Sequence, residues 1–79
     1  MKKELSSLKI QQLLIQALKY CQHGNLFEAK NIYQSLLKII PSHPDVLGNL
    51  GTIELQHGNI EIGVDYLKNS IKKIQLKFL

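Results

Sequence analysis

The chain contains no tryptophan, a single cysteine and few aromatics, 6% of its residues. It also has no arginine, so all ten basic residues are lysines. Each scarcity excludes something. One cysteine, Cys21, cannot form an intrachain disulfide framework, so a reducing, cytoplasmic setting is the expectation. Without arginine there are no bidentate forks for phosphates or guanine edges. The net charge of +4 therefore reads as a solvated lysine surface, with nucleic-acid binding as a secondary reading. No run approaches the roughly 20 apolar residues of a membrane span. The opening MKKELSSLKIQQLLIQ starts on lysines as a signal peptide does, but Glu4, two serines, Lys9 and two glutamines interrupt any apolar region.

What is present is leucine and isoleucine within a hydrophobic fraction of 44%, against 20% charged residues. That is a globular composition. At 79 residues the chain makes one domain, which buries only roughly 60% of the surface its unfolded form exposes.

The apolar residues follow helical spacing. Leu13, Ala17 and Tyr20 form one stripe at i, i+4, i+7, and Leu14, Leu18 and Cys21 form a second beside it. This first helix is expected to end at His23-Gly24, where glycine can take the left-handed conformation after the last turn. Asn25 and Glu28 then read as a capping box opening a second helix, from Leu26 to Ile39 or Ile40. Pro41 stops it. Ser42 or His43 caps a third helix from Pro44 to His57, with Pro44 and Asp45 suited to its first turn. A fourth starts near Ile60 and is free to run toward Phe78. No segment alternates as a strand does.

The tetrapeptide Gln-His-Gly-Asn occurs at residues 22–25 and again at 56–59, with Gly24 and Gly58 standing 34 residues apart. Two helices and one turn therefore recur with a 34-residue period. The fold expected is all-α: four helices as two antiparallel hairpins, the first over residues 10–43 and the second over 44–77. Small residues keep the same register, Ala17 with Gly51 and Ala29 with Gly63, as close helix approach requires.

This pattern resembles the tetratricopeptide repeat, W-x₂-L-G-x₂-Y…A-x₃-F…P. In the first copy Leu13 stands at the Trp position and Ala17 at the small one. Tyr20, Ala29, Tyr33 and Pro41 match the Tyr, Ala, Phe and Pro, while Gln16 departs from the Leu. In the second, Leu47, Leu50 and Gly51 reproduce the opening, and Gly63 and Leu67 take the small and large positions. Glu54 replaces the Tyr and Gln75 the Pro.

The resemblance implies a right-handed solenoid and a protein-interaction scaffold, not an enzyme. The groove it implies runs along Gln11, Leu14, Ile15, Leu18 and Gln22, then Asp45, Asn49, Thr52 and Gln56. It would bind a peptide or helix. The carboxylate clamp of chaperone adaptors is excluded, because Leu14 and Leu18 stand where that clamp needs Lys and Asn. The phrase HPDVLGNLGTIELQHGN is also similar to repeats attached to bacterial glycosyltransferases, which gives an alternative reading as an accessory segment.

Repeat arrays bury their core by stacking and end in polar caps. Here the last helix carries Leu67, Ile71, Ile74 and Phe78 on one stripe, so self-association through it, first as a dimer, is expected. Lys68, Lys72, Lys73 and Lys77 make the same helix basic, and membrane-surface contact is a lesser reading of it. No metal site, cofactor or catalytic constellation is expected. Cys21 and His23 point to opposite sides of a helix. Glu54, an odd carboxylate in an apolar slot, reads as a surface residue or a partner to a lysine.

Overall fold

The computed structural model describes residues 7–77 and the side chains of residues 7–74. Among the described residues it is all-helical, with no strand. Four helices follow in order: α1 (Ser7–Gln22), α2 (Leu26–Ile39), α3 (Pro44–Gln56) and α4 (Ile60–Lys77). Connections of three or four residues fold each helix back on its predecessor. The packing follows chain order: α3 with α4 most extensively, then α1 with α2, then α2 with α3.

The two turns at the repeated tetrapeptide are built alike. Gly24 has φ +80° and Gly58 has φ +85°, the left-handed region where a Cβ is costly. In the first turn Gly24 N donates to Cys21 O at 3.0 Å and Asn25 N to Tyr20 O at 2.8 Å. In the second, Gly58 N donates to Leu55 O at 3.0 Å and Asn59 N to Glu54 O at 2.8 Å. Both are Schellman closures, which satisfy the last carbonyls of a helix.

One capping expectation needs correction and another is resolved. The Asn25 side chain makes no cap hydrogen bond, so the proposed capping box does not form. The backbone supplies the helix start instead, with Ala29 N donating to Asn25 O. At α3 the cap is His43, not Ser42: its Nδ1 accepts from Asp45 N at 3.2 Å. His57 lies just past α3, as its C-cap.

The core is the layer where the hairpins meet. Ala17, Ala29, Tyr33, Leu36, Val46, Leu50 and Ile53 form one buried cluster drawn from α1, α2 and α3. The small residues sit where helices cross. A Cβ on Gly51 would lie 2.9 Å from Gly63 O and 2.8 Å from Leu67 Cγ. One on Gly63 would lie 2.9 Å from Gly51 O and 2.8 Å from Leu55 Cγ. This reciprocal contact, symmetric about the 57–59 turn, sets α3 and α4 antiparallel at close range. A second tie holds α4 to the start of α3: Ser70 Oγ donates to Pro44 O at 2.9 Å.

Candidate functional site

The residues expected to face a partner lie on two stripes, one on α1 and one on α3, with α2 beneath them. Positions 11, 15, 18 and 22 share one face of α1, and 45, 49, 52 and 56 share one face of α3. Between the stripes is a cleft of about 300 Å³ lined by Leu14, Ile15, Leu18, Tyr33, Asp45 and Asn49. Five of these six belong to the expected set. Gln11, Gln22, Thr52 and Gln56 are exposed and lie outside the cleft lining.

Leu14 is half-buried and packs on the core, while Ile15 and Leu18 are 56% and 48% exposed. The α1 side is therefore an apolar wall open to water. The α3 side is polar. Thr52 Oγ1 is turned back onto its own helix, donating to Gly48 O at 3.1 Å, so that hydroxyl hydrogen is committed.

The floor of the cleft is Tyr33, which the resemblance matches to the repeat's phenylalanine. Its ring is buried and its hydroxyl accepts from Asn49 Nδ2 at 2.9 Å. The signal was present: a tyrosine where the resemblance has phenylalanine must find a polar partner for its buried hydroxyl. Burial raises the Tyr33 phenol above its ordinary pKa, with the nearby Cys21 and Asp45 adding to the shift. Burial likewise raises the Cys21 thiol, against a smaller opposing effect of the Tyr33 hydroxyl. Both groups are neutral at physiological pH, and Cys21 is a poor nucleophile. Asn49 is thus held by α2 with its amide plane fixed, and Asp45 is the one charged side chain lining the cleft.

A second polar constellation links α2, α3 and the second turn and corrects one expectation. Glu54 is not a surface residue; it is 4% exposed. The lysine it partners is Lys30 of α2, whose Nζ lies 3.0 Å from Oε2. Asn59 Nδ2 donates to Oε1 at 2.7 Å. The Asn59 hydrogen bond, then Lys30, hold the carboxyl below its usual pKa against the opposing effect of burial. Both oxygens are thus occupied, so the group is a structural tie from the second turn to α2.

The α4 stripe divides in two. Leu67 is half-buried against the Gly51 position and so belongs to the hairpin's inner contact. Ile71 and Ile74 are 54% and 42% exposed. Phe78 lies outside the described residues.

A wider depression of about 710 Å³ at the turn end is lined by Tyr20, residues 24–28 and His57. It is open, and the side chains of Tyr20, Asn25, Glu28 and His57 give it a largely polar lining. Among the described residues no group of three or more His, Cys, Asp or Glu could hold a metal ion, and no helix is long and apolar enough to cross a membrane. No family model matches this chain, and comparison with curated proteins and with solved structures returned no match.

Proposed function

We propose that this chain is a two-repeat, tetratricopeptide-like interaction module whose α1–α3 cleft receives an apolar segment of a protein partner. The reading rests on one observation above the others. Ile15 and Leu18 stand open to water beside a polar floor whose hydrogen bonds, Asn49 to Tyr33, are already made. An apolar wall next to a fixed amide and an exposed carboxylate suits a peptide, whose side chains take the wall and whose backbone takes the polar rim. The 34-residue recurrence of turn geometry and of small residues at helix crossings supports the repeat reading.

The experiment is a selection from a random peptide library on the folded chain, followed by affinity measurement with Leu18→Glu. Selected peptides rich in apolar residues, weakened about tenfold or more by Leu18→Glu at unchanged helicity, support the cleft. Equal binding to wild type and variant would overturn it.

A second reading, self-association through α4, is favoured by the exposure of Ile71 and Ile74. Sedimentation velocity over a range of concentrations tests it, and a concentration-independent monomer mass removes it.

A further inference from the structure

Two features that stand apart in the fold fit each other. The cleft offers an apolar wall and one charged residue, Asp45. The last turns of α4 offer exposed Ile71 and Ile74 among lysines: after Asp65 the chain has four lysines and no acid. We propose that the α1–α3 cleft receives the C-terminal part of α4 from a second copy of this chain, with Asp45 facing its lysines. The inference rests on the cleft being a binding surface, and it names the occupant.

The charge distribution decides between this contact and the obvious alternative. A parallel α4–α4 pair would set Lys68, Lys72 and Lys73 against their own counterparts, which is repulsive. An antiparallel pair escapes that, but it leaves Ile15 and Leu18 uncovered and Asp45 uninvolved. Cleft-to-α4 contact covers both apolar surfaces at once and matches charge of opposite sign. Among the described residues Asp45 has no ion pair; the pair present is Lys30 with Glu54. Ile71 and Ile74, three residues apart, give the spacing with which an amphipathic helix enters a groove. A cleft of about 300 Å³ accommodates such side chains and not a backbone, so the helix rides on the rim.

The contact is heterologous: the cleft of one copy meets the α4 of another. Such a contact can repeat, so mean mass should climb with concentration without settling at a dimer.

The test uses the full chain and a fluorescent peptide, IKKIQLKFL, of residues 71–79. Anisotropy should show saturable binding to the chain. Asp45→Lys should weaken it about tenfold, and a peptide with its lysines replaced by glutamate should recover affinity for that variant. Asp45→Asn guards against a folding defect, since it keeps a side chain suited to the start of α3, and it should lie between. In sedimentation, Asp45→Lys should reduce self-association of the full chain. Peptide binding indifferent to Asp45, or a dimer that neither grows with concentration nor responds to Asp45→Lys, overturns the inference. If library peptides bind in a Leu18-dependent manner while IKKIQLKFL does not, the cleft remains a binding site and only its occupant is wrong.

Discussion

At residue 20 the first hairpin carries a tyrosine; 34 residues later the second carries Glu54, buried and tied to Lys30 and Asn59. The surrounding frame is the same. Both positions accept the backbone N–H of the asparagine that closes the turn, at 2.8 Å in each case. The asparagines themselves have different roles. Asn59 donates its side chain to Glu54, while Asn25 has no carboxylate at the equivalent place and makes no cap bond. The small residues differ as well: Ala17 and Ala29 in one hairpin, Gly51 and Gly63 in the other, where the helices approach until a Cβ would strike backbone. A repeat thus preserves the closure of the turn, which backbone geometry dictates, and varies the side chains that fill the space behind it.

Substitutions at paired positions break or sharpen this comparison. The largest effect is expected at Lys30. Lys30→Met leaves the buried Glu54 carboxylate without its cation, which should cost about 3 kcal/mol in urea unfolding. Adding Glu54→Leu removes the stranded charge and should recover most of that loss. If Lys30→Met alone is neutral, the pair is not the tie described here.

Next come the glycines. Gly51→Ala or Gly63→Ala places a Cβ against backbone that cannot rotate away, and should destabilise by about 2 kcal/mol despite alanine's better helix propensity. Ala17→Leu or Ala29→Leu should cost about 1–3 kcal/mol at the equivalent, fully buried sites. Unchanged melting of these variants would show that the helix crossings are looser than the fold requires.

The asparagines give a smaller but sharper contrast. Asn59→Ala removes a hydrogen bond to a charged group and should cost about 1.5 kcal/mol. Asn25→Ala, 34 residues earlier, should stay within about 0.5 kcal/mol. Equal costs would mean that the hairpins are alike in energy as well as in outline.

The last contrast is full at neutral pH and fades in acid. The folded Glu54 pKa is lowered, so in acid the unfolded chain takes up this proton first. The group's stabilisation is therefore whole above the unfolded carboxylate pKa. It falls away as pH drops toward and through the folded value. Glu54→Gln should flatten the acid limb of the stability profile, whereas Tyr20→Phe should leave it unchanged.

How much of this could be read in the sequence differs from residue to residue. The helix ends were legible because glycine at positive φ and proline after a helix act locally, and Gly24, Gly58 and Pro41 mark them. The equivalence of Ala17 with Gly51 and of Ala29 with Gly63, all four buried, was legible because a period carries register. Asn25 misled, since Asn-x-x-Glu states only that a capping box is sterically available. His43 took the cap at α3 through a geometry that the residue order left open between it and Ser42. In the cleft, the stripes on α1 and α3 were implied by the resemblance to tetratricopeptide repeats, but Tyr33 reached it from another helix. Its hydroxyl found Asn49 sixteen positions away, beyond any local pattern.

The sequence by itself determined four helices, where they turn, and that two halves repeat, because backbone conformation and periodicity are properties of neighbouring residues. Tertiary structure decided that Glu54 is buried, that Lys30 answers it, and that Leu67 is spent inside the hairpin while Ile71 and Ile74 remain in water. Those outcomes depend on which helix faces which and at what distance. A carboxylate's surroundings are set by groups brought near through folding, and no local spacing encodes them.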